Sequence, residues 1–368
     1  MPPPPVAVAA PMAPEAPAAA PAAAPKLTWG GWLDTYYMFN FIRPDNSNTL
    51  VPPVGRAFDT NSNSATMSMA AATLTASMDP VSFQLDMGYG SMGTIINYAG
   101  LGGALTPPLP TAGVIPPVGP SFVLLQAYGS ITVLGKLTLD FGKFYTTAGA
   151  EVIPTNKNWL YSRSLLFNII PLLHTGARAN FKVNDMLSLQ ASVLNGWNDD
   201  PDVNAWKDVG LSAAITPNSM LTIAITEYLG KPLPQGIMAS TPGDLRSLTD
   251  VVVGVTINDK IGLNFNGDFI SGYNGNSSDY QVGGAAMARF VINDNLNVAA
   301  RGEFVRTHND VGSLNQDLME GTVMVGLPVG KNFELRPEFR YDHAGQNTLI
   351  LNGKNNQVTG TLAALAYF

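Results

Sequence analysis

From Lys26 onward, apolar and polar positions alternate with period two, the spacing of strands whose two faces meet different surroundings. In Val81–Tyr89, the residues Val81, Phe83, Leu85, Met87 and Tyr89 share one face, and Ser82, Gln84, Asp86 and Gly88 share the other. Ile261–Ile270 sets Ile261, Leu263, Phe265 and Phe269 against Gly262, Asn264, Asn266 and Asp268. Phe333–His343 is the most polarised, with Phe333, Leu335, Phe339 and Tyr341 opposed to Glu334, Arg336, Glu338, Arg340 and Asp342. The pattern predicts sixteen strands, near 26–42, 64–78, 81–89, 121–133, 136–145, 174–183, 186–194, 206–216, 219–228, 250–257, 260–270, 279–292, 295–307, 316–327, 332–343 and 356–368. The count has a range of 14–18, because 64–78 is weakly patterned and 146–173 has room for another strand.

Connections alternate between short and long. MDP at 78–80, VND at 183–185, TPNS at 216–219, NDK at 258–260 and NDN at 293–295 are tight turns of residues that tolerate turn geometry. The intervening connections 90–120, 146–173, 195–205, 229–249, 271–278, 308–315 and 344–355 are long. That rhythm predicts an all-β fold, a transmembrane antiparallel up-and-down barrel with short periplasmic turns and long extracellular loops. No window holds the roughly 18 apolar residues of a membrane helix, but membrane strands average out in hydropathy. If the apolar faces meet lipid, five charges lie on that face: Lys143, Lys207, Glu227, Arg306 and Asp317. All five fall at strand ends beside long loops, at headgroup depth, where a charge costs about 0–1 kcal/mol. The last strand puts Val358, Leu362, Ala364, Ala366 and Phe368 on one face, and the first puts Leu27, Trp29, Leu33, Tyr37, Phe39 and Phe41 on one face. Pairing these two strands removes the open edges. A terminal Phe also resembles the signal read by outer-membrane assembly machinery.

Composition narrows the class. Charged residues make up 13% of the chain, about half the usual ~25%. The net charge of −7 comes with no basic stripe, so no nucleic-acid partner is expected. Cysteine is absent, which excludes disulfides and thiolate metal sites. Residues 1–25 are almost entirely Pro and Ala and read as a disordered periplasmic arm, separate from the barrel over 26–368. The arm lacks the basic start and unbroken apolar core of a signal peptide, so an export signal is expected to be absent from this version of the chain. An arm of this kind would reach toward peptidoglycan or an inner-membrane partner. The expected surroundings are outer-membrane lipid and lipopolysaccharide.

The inward face should carry selectivity. By parity its acids are Asp34, Asp86, Asp140, Asp208, Asp268, Glu303, Glu320, Glu334, Glu338 and Asp342. Its bases are Arg178, Lys182, Arg289, Arg301, Arg336 and Arg340. Ten acids against six bases predict a mild cation preference. These charges either set a transverse field across a pore or pair and stiffen the wall, and the two readings are compatible. Segment 146–173 ends in Leu165, Leu166, Phe167, Ile169 and Ile170, which need a partner away from water. The expected solution is an inward fold that narrows the pore, with Glu151, Lys157 and Arg163 as constriction residues; contact with another subunit is the alternative.

The run Asn158-Trp159-Leu160-Tyr161-Ser162-Arg163-Ser164 is followed by Pro171, by His174-Thr175-Gly176, by the turn Val183-Asn184-Asp185 and by Asn195-Gly196-Trp197. With the opening Gly30-Gly31-Trp32-Leu33-Asp34-Thr35-Tyr36-Tyr37, this order resembles the OmpL-like β-barrel porin-2 family over about residues 28–368. The resemblance implies an outer-membrane channel of Gram-negative-type bacteria. It brings no catalytic residues.

Sharper sites find little support. Asp200, Asp202 and Asn204 alternate like the start of a calcium loop, but Ala205 and Leu211 stand where an EF-hand needs Gly and Glu. A turn whose side chains bond their own backbone is the better expectation. His174, His308 and His343 have no zinc spacing. A hydrolase would need His174 in contact with Ser162 or Ser164 and a third group to orient it. The chain therefore reads as a porin passing small hydrophilic solutes, with no cofactor and no enzymatic chemistry. A non-conducting surface-binding or structural barrel is the alternative, followed by an enzyme in the wall and a soluble secreted β protein. A homotrimer is open as an assembly, although no stretch marks a subunit face.

Overall fold

Four tight turns use one device. Asn184, Asn218 and Asn258 each accept, through Oδ1, the backbone N–H groups two and three residues on, at 2.8–3.1 Å. Asn293 accepts that of Asn295 at 2.9 Å. A side chain that supplies the turn's missing acceptor fixes where one strand stops and its neighbour starts. The computed structural model describes residues 24–42, 56–99, 119–202, 204–232, 243–273, 275–310, 315–345 and 354–368. Apart from residues 24 and 25, the Pro/Ala arm lies outside the described residues.

The first eight strands are β1 (Lys26–Asn40), β2 (Ser64–Met78), β3 (Val81–Gly90), β4 (Ser121–Val133), β5 (Leu137–Tyr145), β6 (Leu173–Lys182), β7 (Leu187–Leu194) and β8 (Asp208–Asn218). The second eight are β9 (Leu221–Gly230), β10 (Arg246–Asn258), β11 (Ile261–Ser271), β12 (Tyr280–Asn293), β13 (Leu296–His308), β14 (Gln316–Val329), β15 (Phe333–Ala344) and β16 (Asn356–Tyr367). Each pairs antiparallel with its sequence neighbours, and β1 pairs with β16, so the sheet is a closed barrel of sixteen strands. The closing register runs from Trp32↔Tyr367 to Asn40↔Thr359. Phe368 extends it: its N–H donates to Gly31 O at 3.1 Å, and Gly31 N–H donates to Phe368 O at 3.3 Å. The Trp29 and Phe368 rings meet edge to face at 5.4 Å. Full closure leaves no open edge for a bilayer to penalise.

The outer face is the apolar one. Leu27, Phe83, Phe141, Phe265, Val323 and Phe339 are all exposed on it, as befits a surface whose solvent is lipid. The five charges at the outer strand ends are all partnered. Lys143 pairs with Asp200, Lys207 with Asp202, and Arg306 holds Asp317 through two bonds of 2.7 Å. Glu227 accepts the Thr249 hydroxyl at 2.6 Å.

The interior is filled differently from a bare tube. Segment 146–173 contains no strand before β6 begins at its last residue, Leu173. It holds a 3-10 turn over Thr155–Lys157 and a short helix, α2 (Leu165–Ile169), while Pro154 and Pro171 remove ladder donors. The region after β3 begins with helix α1 (Ser91–Ala99), which the period-two reading did not anticipate. Met92, Ile95 and Ile96 of α1 are buried with Met69, Val123 and Leu125. Residues 56–62 are buried as well. The predicted start of β10 at 250 falls short of its actual start at Arg246.

Candidate permeation site

The wall ladder and segment 146–173 meet inside the barrel. Leu160, Leu165, Leu166, Ile169 and Ile170 pack with the wall residues Leu248, Ile270, Val305, Leu318 and Met324 in one apolar cluster. Phe167 and Ile153 join Phe58 and α1 in a second cluster. This supplies the partner that the apolar end of the segment requires, within its own barrel.

The segment's backbone polar groups are bound by charged side chains. Arg301 on β13 donates to Ser162 O at 2.8 Å, to Arg163 O at 3.2 Å, to Glu151 at 2.9 Å and to Glu320 at 3.0 Å. Glu303 accepts Leu165 N–H at 2.8 Å and Leu166 N–H at 3.3 Å, at the first turn of α2. Ser164 caps the same turn by accepting Phe167 N–H. Glu338 on β15 accepts the N–H groups of Tyr161 and Ser162, at 2.7 and 3.2 Å. Arg336 donates to the carbonyls of Thr155 and Asn158, and Arg340 donates to that of Arg163 at 2.6 Å. Asp34 accepts the Thr155 hydroxyl at 2.6 Å. A non-repetitive segment buried in a barrel needs a partner for each backbone group, and the inward ladder provides them.

The charges also pair among themselves. Arg336 holds Glu334, Arg340 holds Asp342, and Arg301 lies near Glu151, Glu303 and Glu320 together. Arg178 is held by Asp140 at 2.7 Å. Asp86 accepts from Gln84 and Gln126.

Of the residues that sequence parity placed on the inward face of the pore, Asp34, Asp86, Arg301, Glu303, Glu334, Arg336, Glu338, Arg340 and Asp342 are buried. Arg178 and Arg289 are half-buried. Of the expected constriction residues, Lys157 is exposed, whereas Glu151 and Arg163 are buried. Arg163 turns back on its own segment, donating to the carbonyls of Val152, Ile153 and Tyr161 at 2.6–3.1 Å. Its guanidinium lies 5.5 Å from the Phe58 ring and 5.8 Å from the Phe167 ring.

Two participants, Arg56 and Asp250, escaped sequence reading. Arg56 donates to Thr359 at 3.0 Å and pairs with Asp59 and Asp342, tying residues 56–62 to the same wall. Asp250 is fully buried on β10 and accepts the Asn266 amide at 2.7 Å. Asn266 in turn accepts Ala150 N–H of the inner segment at 3.0 Å. For Asp250 the signal was inward parity within the strand predicted over 250–257; nothing local marks Arg56.

Elsewhere the structure places turns where sharper chemistry was weighed. Asp202 and Asn204 accept backbone N–H groups two residues on, at 3.0 and 2.7 Å. Asn198, at φ +63°, accepts Leu172 N–H at 2.7 Å. Burial pushes the Asp199 carboxyl up to about 7; Arg246 opposes the shift, and Asp208 and Asp200 add to it. His174 Nδ1 bonds Gly196 O at 2.9 Å and its ring meets that of Tyr228 at a tilt, 4.7 Å between centroids, while Ser164 is occupied as a cap. Neither Ser162 nor Ser164 bonds to it. Among the described residues no group of three or more His, Cys, Asp or Glu is placed to hold a metal.

Comparison with known proteins agrees with the architecture. DcaP, the outer membrane channel of Acinetobacter baumannii, superposes with a TM-score of 0.62 at 11% identity, covering 94% of this chain and 98% of that one. An anion-selective porin from Comamonas acidovorans gives 0.60 at 9% identity, covering 94% and 100%. OmpT of Vibrio cholerae, in its trimer form, gives 0.60 at 13% identity, with the same coverage. At these identities the likeness is one of fold. No curated protein matches the chain in sequence. The model of the β-barrel porin-2, OmpL-like family matches residues 26–368, the whole barrel, and the chain belongs to that family of outer-membrane porins.

Proposed function

We propose that the protein is a passive porin, through which small hydrophilic solutes and ions cross the outer membrane down their gradients. The observation that carries this reading is a closed sixteen-strand barrel whose segment 146–173 is bonded to the inner wall along much of its length. In this reading that segment is the constriction: it occupies lumen against β1, β10, β11 and β13–β15, and solutes pass through the space it leaves. No covalent step and no cofactor enters. Lipid and lipopolysaccharide surround the barrel at the level of the partnered outer charges. A homotrimer is the assembly proposed with it, on the analogy of the trimeric Vibrio cholerae OmpT structure; a single-chain mass in mild detergent would argue against it.

A second reading, a non-conducting barrel that serves as a binding surface, has one observation in its favour. Residues 56–62, α1 and segment 146–173 all bury interior wall. Planar-bilayer recording of the refolded chain separates the two. Steady ohmic steps are expected of the porin. An inserted, folded barrel that never conducts sinks that reading and turns attention to the outer loops.

A further inference from the structure

All ten inward acids predicted from parity are buried, from Asp34 and Asp342 at 1% to Asp86 and Glu303 at 7%. Three of the six inward bases, Arg301, Arg336 and Arg340, are buried with them. The three that are not are Arg178, Lys182 and Arg289. On the inner segment the same division holds: Glu151 and Arg163 are buried, and Lys157 is exposed. Every accessible charge on the inward wall and the inner segment, among the described residues, is therefore basic. We infer that the lumen prefers anions and that its substrates are small anionic solutes, a deepening that rests on the porin reading above.

Arg178, Lys182 and Arg289 stand toward the ends of their strands that meet the tight turns, and a further half-buried base, Arg246 on β10, is paired with buried Asp208. Lys182 is the last residue of β6, at the mouth; its ion partner Asp185 stands almost fully exposed on the turn. Arg289 on β12 is in register with Gly262 on β11. A Cβ on Gly262 would lie 3.1 Å from the Trp159 ring, so Arg289 stands beside the inner segment where it meets this wall. Among the described residues no carboxylate lies within ion-pairing distance of Arg289 or Lys157. Arg178 lies 4.2 Å from the Phe144 ring centroid, and its partner Asp140 is buried, 4% exposed.

The buried acids count for less because their fields are spent locally. Glu320, Glu334 and Asp342 face guanidinium groups, and Glu303 and Glu338 face the N–H groups of the inner segment. Segment 146–173 covers Glu303, Glu320 and Glu338, and residues 56–62 cover Asp342 through Arg56. By contrast, a bare charge about 6 Å away through water changes ion occupancy about threefold, and sources beyond roughly 10 Å are screened at 0.1 M salt. The acid excess in the sequence thus belongs to the wall's internal structure, which reverses the mild cation preference that counting predicts.

The test is the reversal potential of the full chain in a planar bilayer under a KCl gradient. Chloride preference is expected. Lys157→Gln and Arg289→Gln should each lower the chloride-to-potassium permeability ratio by about threefold, and Arg289→Lys should leave it near the wild-type value. Potassium preference in the wild type overturns the inference while leaving the porin intact, as does chloride preference indifferent to both glutamine variants. Absence of any conductance overturns the porin reading itself, and this inference with it.

Discussion

Replacing Arg301 by leucine is expected to release the inner segment while the barrel stays closed. This guanidinium is fully buried and donates to two segment carbonyls, to Glu151 and to Glu320. Leucine removes every one of those bonds at once and leaves buried carboxylates facing each other. Breaking a buried ion pair from one side costs about 3–5 kcal/mol, against about 0–1 kcal/mol for an exposed pair such as Lys182–Asp185. The barrel's closed ladder does not depend on Arg301 side-chain bonds, so the cost falls on the segment. The chain has no cysteine, which offers a clean reporter. A cysteine at Leu166, 1% exposed, should be protected from a maleimide in the parent and be labelled on the order of a hundredfold faster in the Arg301→Leu background. Heat-modifiable mobility on electrophoresis should be unchanged. Replacing Glu151, Glu303 and Glu320 by apolar residues as well should restore part of the protection, because an apolar set can substitute for a buried ionic one. Equal labelling in both backgrounds would show that Arg301 does not hold the segment.

What could be read from the sequence follows from the range of the forces involved. Strand count and barrel closure are written in local alternation and turn chemistry, so sixteen strands and the pairing of the first strand with the last were accessible. The apolar run Leu165–Ile170 also announced that it needed cover. Parity tells which face Arg301 or Glu338 occupies, but not whether that face is wet. Dryness depends on contacts such as Arg301 with Ser162, 139 residues apart, and Arg56 with Thr359, 303 residues apart. Nothing in a window of ten residues carries them. The same gap explains the charge count: the sequence supplies signs, and burial decides which signs an ion meets.

Excising residues 148–171 is expected to widen the channel severalfold in conductance and to turn its preference toward cations. The geometry favours a clean excision, because Thr146 N–H already donates to Leu172 O at 3.0 Å, so a short Gly-Ser linker can join the ends. Strands β5 and β6 remain paired up to Tyr145↔Leu173, and the closed ladder is untouched. The loss of Leu165, Leu166, Phe167 and Ile169 removes burial worth about 1.5–3 kcal/mol each. The cost of ordering the segment, about 1–2 kcal/mol per residue, disappears with it. Stability should therefore change far less than transport. Water then reaches Glu303, Glu320, Glu334 and Glu338, and acids come to outnumber bases among the charges an ion meets. Reversal potentials should move from chloride toward potassium preference as the steps enlarge, and the refolded variant should remain heat-modifiable. Larger steps with unchanged anion preference would mean that the wall acids are neutralised without the segment's help. Unchanged steps would mean that the passage is limited elsewhere, by residues 56–62 or α1.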